Sequence, residues 1–365
     1  MKKNDSIQIL RAIAALLVVY IHAIFIVQHH GIPYQSHFFN IASFGACGVD
    51  IFFAISGFLL STVALNINPM QSHPAIDFLI RRFIRIFPIY WILSLFFVLV
   101  LIKQRHLTPS WFINSYLLLP SLKFPIPTPL IFVGWTLVFE MFFYYVITFN
   151  LFFGPRRVVE RTIITILGLL ALGAVVDFHR PVLILLANPM NLEFVFGCLI
   201  GIVYAKTGKR QTLGTVLLVS GTLLLVSTIF LGNPDISDAK SVLDGSIGWR
   251  RVMIWGIPAA MITAGLAFRL TPIHSSFGRF WVRLGDASYS IYLISLIVFY
   301  IYQRFYPPLI LDINVVLSFI AVVVSGVLCH RLLEKPVTRM LTAKYDLASQ
   351  RSLRSWSEKE GSLGK

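Results

Sequence analysis

The sequence predicts an all-α membrane protein, a bundle of about ten transmembrane helices with both termini in the cytoplasm. Three observations predict this fold class. The 365 residues are 57% hydrophobic and 13% charged, with a mean hydropathy of +0.78, which is typical of polytopic membrane proteins. The apolar residues form segments of about 20 residues, the length that crosses a bilayer. The basic residues favour one side of the resulting topology.

Ten segments are long and apolar enough to span a membrane. The segment 108–132 is also apolar, but prolines interrupt its second half, so we expect an outer loop with a short interfacial or re-entrant piece. A transmembrane domain over 1–343 and a polar, basic, disordered tail over 344–365 are predicted. The predicted spans, in chain order, are 7–28, 42–64, 84–103, 134–153, 161–178, 183–204, 213–232, 252–269, 285–306 and 314–334.

The 31 basic residues test this topology. Twenty-two fall on the predicted inner side, eight on the outer side, and Arg11 lies within the first span. This excess supports cytoplasmic termini. The formal net charge of +15 is therefore mainly a topology signal, and no nucleic-acid partner is expected. The three cysteines lie in apolar segments without paired spacing, so we expect no disulfide and no cysteine metal site.

The first span carries two ionisable residues, Arg11 and His22. Eleven residues make about three helical turns plus about 20°, so both side chains lie on one face, about 16 Å apart along the axis. Ionisable groups inside a membrane span are costly and usually functional. We therefore expect this pair to belong to the site of chemistry.

Acidic residues of other spans fall at similar depth. By helical rise, His22 and Glu140 each lie about 9 Å from the outer face, Asp50 about 12 Å and Glu193 about 15 Å. An imidazole beside a carboxylate is typical of an oriented general base, so we expect Glu140 or Asp50 to orient His22. The alternative is that these groups are hydrogen-bonding partners between packed helices.

Arg82 and Arg85 are three residues apart and share a helix face at the cytoplasmic end, where Arg11 also lies. Guanidinium groups suit bidentate binding of phosphates. The alternative is an anchor of the kind that the positive-inside rule produces. An anion site inside and an acid–base cluster in the outer half suit a long phosphorylated donor, and coenzyme A has this shape.

Seven motifs follow one another along most of the chain: LRAIAALLVVYIHA, GVDIFFAISGFLL, RRFIRIFPIYW, WTLVFEMFFYY, NLEFVFGCLIG, LGDASYSIYLISL and LLEKPV. In this order they resemble the membrane acyltransferase-3 family, which includes O-acetyltransferases of bacterial surface glycans, and the exopolysaccharide-production ExoZ type in particular. The resemblance implies transfer of an acyl group, usually acetyl from acetyl-CoA, to a sugar hydroxyl at the bacterial cytoplasmic membrane.

The resemblance also implies roles for particular residues. His22 matches the essential histidine of the family and Arg11 its paired arginine, while Arg82 and Arg85 match an Arg-x-x-Arg pair associated with the acyl-CoA donor. Glu140 matches an acidic position after the Trp-Ser/Thr-Leu motif. Asp50, Glu193 and Glu334 match further acidic positions. Ser295 departs from the family, which often has histidine there. Candidates for substrate contact, with core packing as the alternative for the last two, are Glu193, Tyr144 and Ser56.

The expected function is therefore an intramembrane O-acyltransferase that uses His22 as general base or acyl carrier. Its expected partners are acyl-CoA, a polysaccharide or lipid-linked glycan, and the bilayer. A proton-coupled transporter of a lipid-linked sugar or small solute is the main alternative. A metal site of His29, His30 and His37 near Asp50 is a minor one, since nothing fixes a geometry, and no metal is expected.

Overall fold

The computed structural model describes nearly the whole chain as helix. In the part it describes there is no β-strand. The all-α fold class is thereby confirmed. The described residues are 4–28, 42–104, 108–120, 128–176, 180–231, 234–269, 273–305, 307 and 309–363.

Sixteen α-helices follow one another in these ranges. Short 3₁₀ turns at Ala42–Ala46 and Phe132–Gly134 precede two of them, and π-helical turns occur at Val252–Gly256 and His330–Glu334. The helices are α1 Asp5–Gln28, α2 Cys47–Leu65, α3 Pro74–Gln104, α4 Pro109–Tyr116, α5 Trp135–Phe152, α6 Val158–Val175, α7 Pro181–Leu186, α8 Asn191–Thr207, α9 Gln211–Ser227, α10 Ala239–Leu243, α11 Gly248–Arg251, α12 Ile257–Arg269, α13 Ser276–Asp286, α14 Ser288–Arg304, α15 Leu311–Cys329 and α16 Lys335–Leu363.

The count of membrane spans agrees with the prediction of about ten. Within the described residues, nine stretches are long and apolar enough to cross a bilayer. The tenth is the pair α13 and α14, which meet at 65°. The predicted span 285–306 is therefore the second arm of a broken segment. The cytoplasmic placement of the termini stays a prediction.

Two other regions add detail to the predicted boundaries. The loop 108–132 contains the short helix α4, which begins with Pro109, a residue that fits the first turn because it needs no backbone donor there. At the other end of the chain, α16 continues to Leu363, so residues 344–363 are helical where disorder was expected. The division of the chain at 343 stays a prediction.

The bundle is organised around α1 and α2. Helix α1 packs against α2, α13, α14 and α15, and α3 packs against α5 and α14. Helix α2 crosses α8 so closely that a Cβ atom at Gly197 would lie 2.6 Å from the Cα atom of Gly57. Glycine pairs of this kind let membrane helices approach each other closely. This crossing fixes one side of α2, and its other side faces the candidate site.

We predict that Gly197→Leu destabilises the protein, because the added side chain would displace α2 from α8. Overpacking typically costs about 1–3 kcal/mol. Gly168→Leu on α6 is the matched control, since no other atom lies within 4 Å of its added Cβ. Thermal unfolding in detergent should show a lower midpoint for Gly197→Leu alone. Equal midpoints for the two variants would contradict the proposed tight crossing.

Candidate active site

A cavity of about 270 Å³ lies between α1, α2, α3, α5 and α14. Six of the nine residues singled out from the sequence line it, and three do not. His22, Asp50 and Glu193 lie elsewhere. The polar and charged lining residues are Gln8, Arg11, Ser56, Arg82, Arg85, Thr136, Glu140, Tyr144, Ser288, Tyr289 and Tyr292.

Three arginines supply the positive charge of this cavity. Arg11 donates from Nη1 to Oε1 of Gln8 at 3.3 Å, one helical turn earlier on α1. The Arg82 guanidinium lies 5.4 Å from the centre of the Phe78 ring. Arg85 is exposed and marks the mouth. In the described part of the chain none of the three arginines forms an ion pair, so they remain available to an anion.

Glu140 supplies the only carboxylate among the residues that line the cavity. Ser56 donates a hydrogen bond to its Oε1 at 3.4 Å, and the Tyr144 hydroxyl donates to the same oxygen. The three groups that were predicted separately as catalytic or substrate-binding thus form one hydrogen-bonded set. With three guanidinium groups facing one carboxylate, the lining carries an excess of positive charge.

His22 lies on α1, eleven residues after Arg11, and is not among the residues that line the cavity. Its Nδ1 lies 2.6 Å from the carbonyl oxygen of Val18. Because a carbonyl oxygen only accepts, Nδ1 carries the proton in this contact, and Nε2 is left as the basic nitrogen. The expectation that Glu140 or Asp50 orients His22 is therefore wrong in this structure. A backbone carbonyl one helical turn away performs that task.

A 3₁₀ turn connects His22 to the cavity wall. The His22 ring meets Phe132 edge to face, with ring centroids 6.3 Å apart. The carbonyl of the next residue, Val133, accepts hydrogen bonds from Thr136 at 3.0 Å and Tyr292 at 2.9 Å. Both donors line the cavity. The turn Phe132–Gly134 thus contacts both the His22 ring and two side chains of the cavity wall, while the shared depth of His22 and Glu140 stays a prediction.

Asp50 pairs with Arg251. Arg251 is one of the eight basic residues that the predicted topology places on the outer side. The Arg251 guanidinium donates from Nε to Oδ1 at 3.0 Å and from Nη2 to Oδ2 at 2.8 Å, and both side chains are fully buried. It also donates to the carbonyls of Ile236 and Ala46. A buried aspartate needs such a counter-charge. The sequence signal that could have identified the partner of Asp50 was an arginine at the predicted outer side of another span.

Glu193 lies beside this ion pair and away from the cavity. It is fully buried, and neither carboxylate oxygen has a hydrogen-bond partner among the described residues. Its Oε1 would be 2.7 Å from a Cβ atom added at Gly256, and Asp50 and Arg251 are the charged groups that act on it electrostatically. The structure thus joins Glu193 with Asp50 and Arg251 in a second polar cluster.

The remaining sequence candidates have local partners. Glu334 accepts from Ser290 at 2.6 Å and lies 2.8 Å from His330. Ser295 donates to the carbonyl of Tyr292 within its own helix. The described residues contain no group of three or more His, Cys, Asp or Glu side chains that could hold a metal ion. The histidines of the alternative metal site, His29, His30 and His37, lie outside the described residues.

Comparison with known proteins identifies the family. The model of the acyltransferase domain family matches residues 4–331, which include every helix that lines the cavity. The chain belongs to the acyltransferase-3 family. This confirms the resemblance inferred from the motifs, and it makes the protein a membrane acyltransferase. The match ends before α16.

Two relatives of this acyltransferase extend the comparison. The exopolysaccharide production protein ExoZ of Rhizobium meliloti is 29% identical over 327 residues, which cover 85% of this chain and 94% of ExoZ. An uncharacterized protein of Haemophilus influenzae is 26% identical over 219 residues, 52% of this chain and 89% of that protein. No solved structure matches the chain.

We predict that Asp50→Ala destabilises this acyltransferase by about 3–5 kcal/mol, because it leaves Arg251 buried without a counter-charge. The double variant Asp50→Leu with Arg251→Met should recover most of that loss, since two apolar side chains replace the pair. Unfolding in detergent measures both. The exposed neighbour Arg250 gives the control Arg250→Gln. A double variant no more stable than Asp50→Ala would contradict the assignment.

Proposed function

We propose that this protein is an O-acyltransferase of the bacterial cytoplasmic membrane that moves an acetyl group from acetyl-CoA to a hydroxyl of an exported polysaccharide or lipid-linked glycan. One observation carries the proposal. In a member of the acyltransferase-3 family, three guanidinium groups and a single hydrogen-bonded carboxylate line one cavity, and α1, which contributes Arg11 to the lining, also carries His22. A cavity that carries both cationic and hydrogen-bonding groups suits a donor with one anionic end and one neutral end.

The size of the cavity supports a divided donor site. Pockets for drug-sized ligands usually enclose about 300–1,000 Å³, so a cavity of about 270 Å³ suits part of acyl-CoA and not the whole molecule. In this proposal the anionic nucleotide part stays at the cytoplasmic mouth, where Arg85 is exposed. The pantetheine arm continues past Arg11, and Glu140 accepts a hydrogen bond from an amide N–H of the arm.

The proposed chemistry takes place at the far end of the arm. Nε2 of His22 removes the proton from the acceptor hydroxyl, and the hydroxyl oxygen attacks the thioester carbonyl carbon. The carbon–sulfur bond breaks, the acetyl group stays on the acceptor oxygen, and the CoA thiolate takes the proton back from the imidazolium. The Val18 carbonyl stabilises the imidazolium, because it accepts the Nδ1 proton in both states.

Two variants of this function give different results in one assay. A covalent acetyl-His22 intermediate would give ping-pong kinetics, whereas direct transfer requires both substrates to be bound together. A transporter of lipid-linked sugar would leave the thioester intact. The similarity to ExoZ, an exopolysaccharide production protein, supports an exopolysaccharide acceptor. Asp50 and Glu193 lie away from the cavity. In the proposal they therefore have a structural role and hold α2 and α8 in place.

We expect His22→Ala to lower acetyl transfer by about 10²–10⁴-fold while CoA affinity stays within twofold of the wild type, because the general base is lost and the arginines are kept. Thiol release from acetyl-CoA, with purified exopolysaccharide as acceptor, measures the first effect. Calorimetric titration with CoA measures the second. The exposed His274 provides the control His274→Ala. Transfer at the wild-type rate by His22→Ala would refute the proposed role.

A further inference from the structure

Helix α14 begins inside the protein at the bend with α13. A single residue, Ala287, separates the two helices, and Ser288 is the first residue of α14. The first N–H groups of a helix have no acceptor within that helix, and they carry partial positive charge. Because Ser288 and Tyr289 line the cavity, the positive end of this 17-residue helix faces it.

Contacts with α1 and α3 fix the start of α14 at this point. Gly285, just before the bend, lies so close to the carbonyl oxygen of Gln8 on α1 that no Cβ atom would fit between them. The Tyr289 hydroxyl donates to the carbonyl of Ile86 on α3 at 2.7 Å, one residue beyond Arg85. The start of α14 is therefore held between the two helices that carry the cavity arginines.

Two donors on the cavity wall have no partner. Ser288 is fully buried, and its Oγ forms no hydrogen bond among the described residues. The Nε–H group of Arg82 is likewise buried and unpaired. A buried donor without an acceptor is costly, so the pair indicates a ligand with acceptor oxygens. The other hydroxyl side chains of the lining have partners, namely those of Ser56, Thr136, Tyr144, Tyr289 and Tyr292.

The carboxylate that binds the start of α14 does not bind Ser288. Glu334 accepts from Ser290, two residues further along α14, and its second contact is His330. These contacts hold the Glu334 carboxylate at Ser290, and the Ser288 hydroxyl has no acceptor among the described residues. The Ser288 hydroxyl is therefore able to donate to a ligand in the cavity.

We propose that Ser288 and the first N–H groups of α14 bind a phosphate oxygen of the CoA donor, with Arg82 as the second ligand of the same phosphate. This inference rests on the proposed function and assigns one element of its donor site. Helix N-termini bind phosphate groups because free N–H donors and the helix dipole act together. The Ser288 hydroxyl adds a directed donor, and the arginine adds the full positive charge.

The test compares Ser288→Ala with Ser295→Ala in the purified full-length protein, by calorimetric titration with CoA, pantetheine and inorganic pyrophosphate. Ser295 lies on the same helix, is buried and has a local acceptor, so it is the matched control. We expect Ser288→Ala to weaken CoA and pyrophosphate binding by about 10- to 100-fold, the effect of one hydrogen bond to a charged group. Pantetheine affinity should not change, because pantetheine has no phosphate.

Stability gives a second readout that separates binding from folding. Ser288→Ala should unfold at the same temperature as the wild type in the absence of ligand, because the deleted hydroxyl has no partner there. A lower unfolding temperature, with CoA affinity unchanged, would mean a structural role and would overturn the inference. An equal loss of CoA and pantetheine affinity would place Ser288 on the arm and would also overturn it.

The two proposals fail in different ways. If the wild-type protein binds pyrophosphate but not CoA, and Ser288→Ala weakens pyrophosphate binding, the anion site stands and the donor assignment of the proposed function is wrong. If the wild type binds CoA and Ser288→Ala binds CoA and pyrophosphate equally well, the inference is wrong and the proposed function stands. If the wild type binds neither ligand, both are wrong.

Discussion

A charge inside a bilayer must face a counter-charge or a polar cavity, and this constraint organises the bundle. The protein meets it in two ways. Arg251 and Asp50 neutralise each other in a fully buried bidentate pair that joins the start of α2 to α11. Arg11 and Arg82 instead line an open cavity with few protein partners. The Asp50–Arg251 pair has its charges balanced without a ligand, so it is a structural cluster. The cavity arginines have no such counter-charge among the described residues, so the cavity is the candidate binding site.

The binding site gains its direction from helix geometry. Arg11 and His22 lie on one face of α1, with the arginine in the cavity lining and the imidazole against Phe132. In the proposed function, a donor held by its anionic end extends along α1 toward the basic Nε2 nitrogen. The bend between α13 and α14 brings a helix N-terminus to the same cavity, where it is proposed to bind a phosphate of the donor. In this proposal each element positions a different part of one elongated substrate.

The sequence predicted the fold class, the number of spans and six of the polar and charged residues that line the cavity, because hydropathy, helical spacing and family motifs are local properties. Arg82, Arg85 and Glu140 were found in this way. The partner of Asp50 was not found, because Arg251 is 201 residues away and only tertiary packing selects it. The orientation of His22 by Val18 was missed for a different reason, since backbone carbonyls carry no sequence signal. The role proposed for Ser288 depends on the helix bend, which hydropathy does not reveal.

The central claim is that the arginines of the cavity bind the donor, and CoA affinity tests it most directly. Titration of CoA into the variant Arg82→Ala with Arg85→Ala should show at least a tenfold loss of affinity. The variant Arg279→Ala with Arg283→Ala should bind CoA like the wild type, because these exposed arginines of α13 lie outside the cavity lining. Unchanged affinity in a folded Arg82 and Arg85 variant would contradict the account and would move the donor site elsewhere.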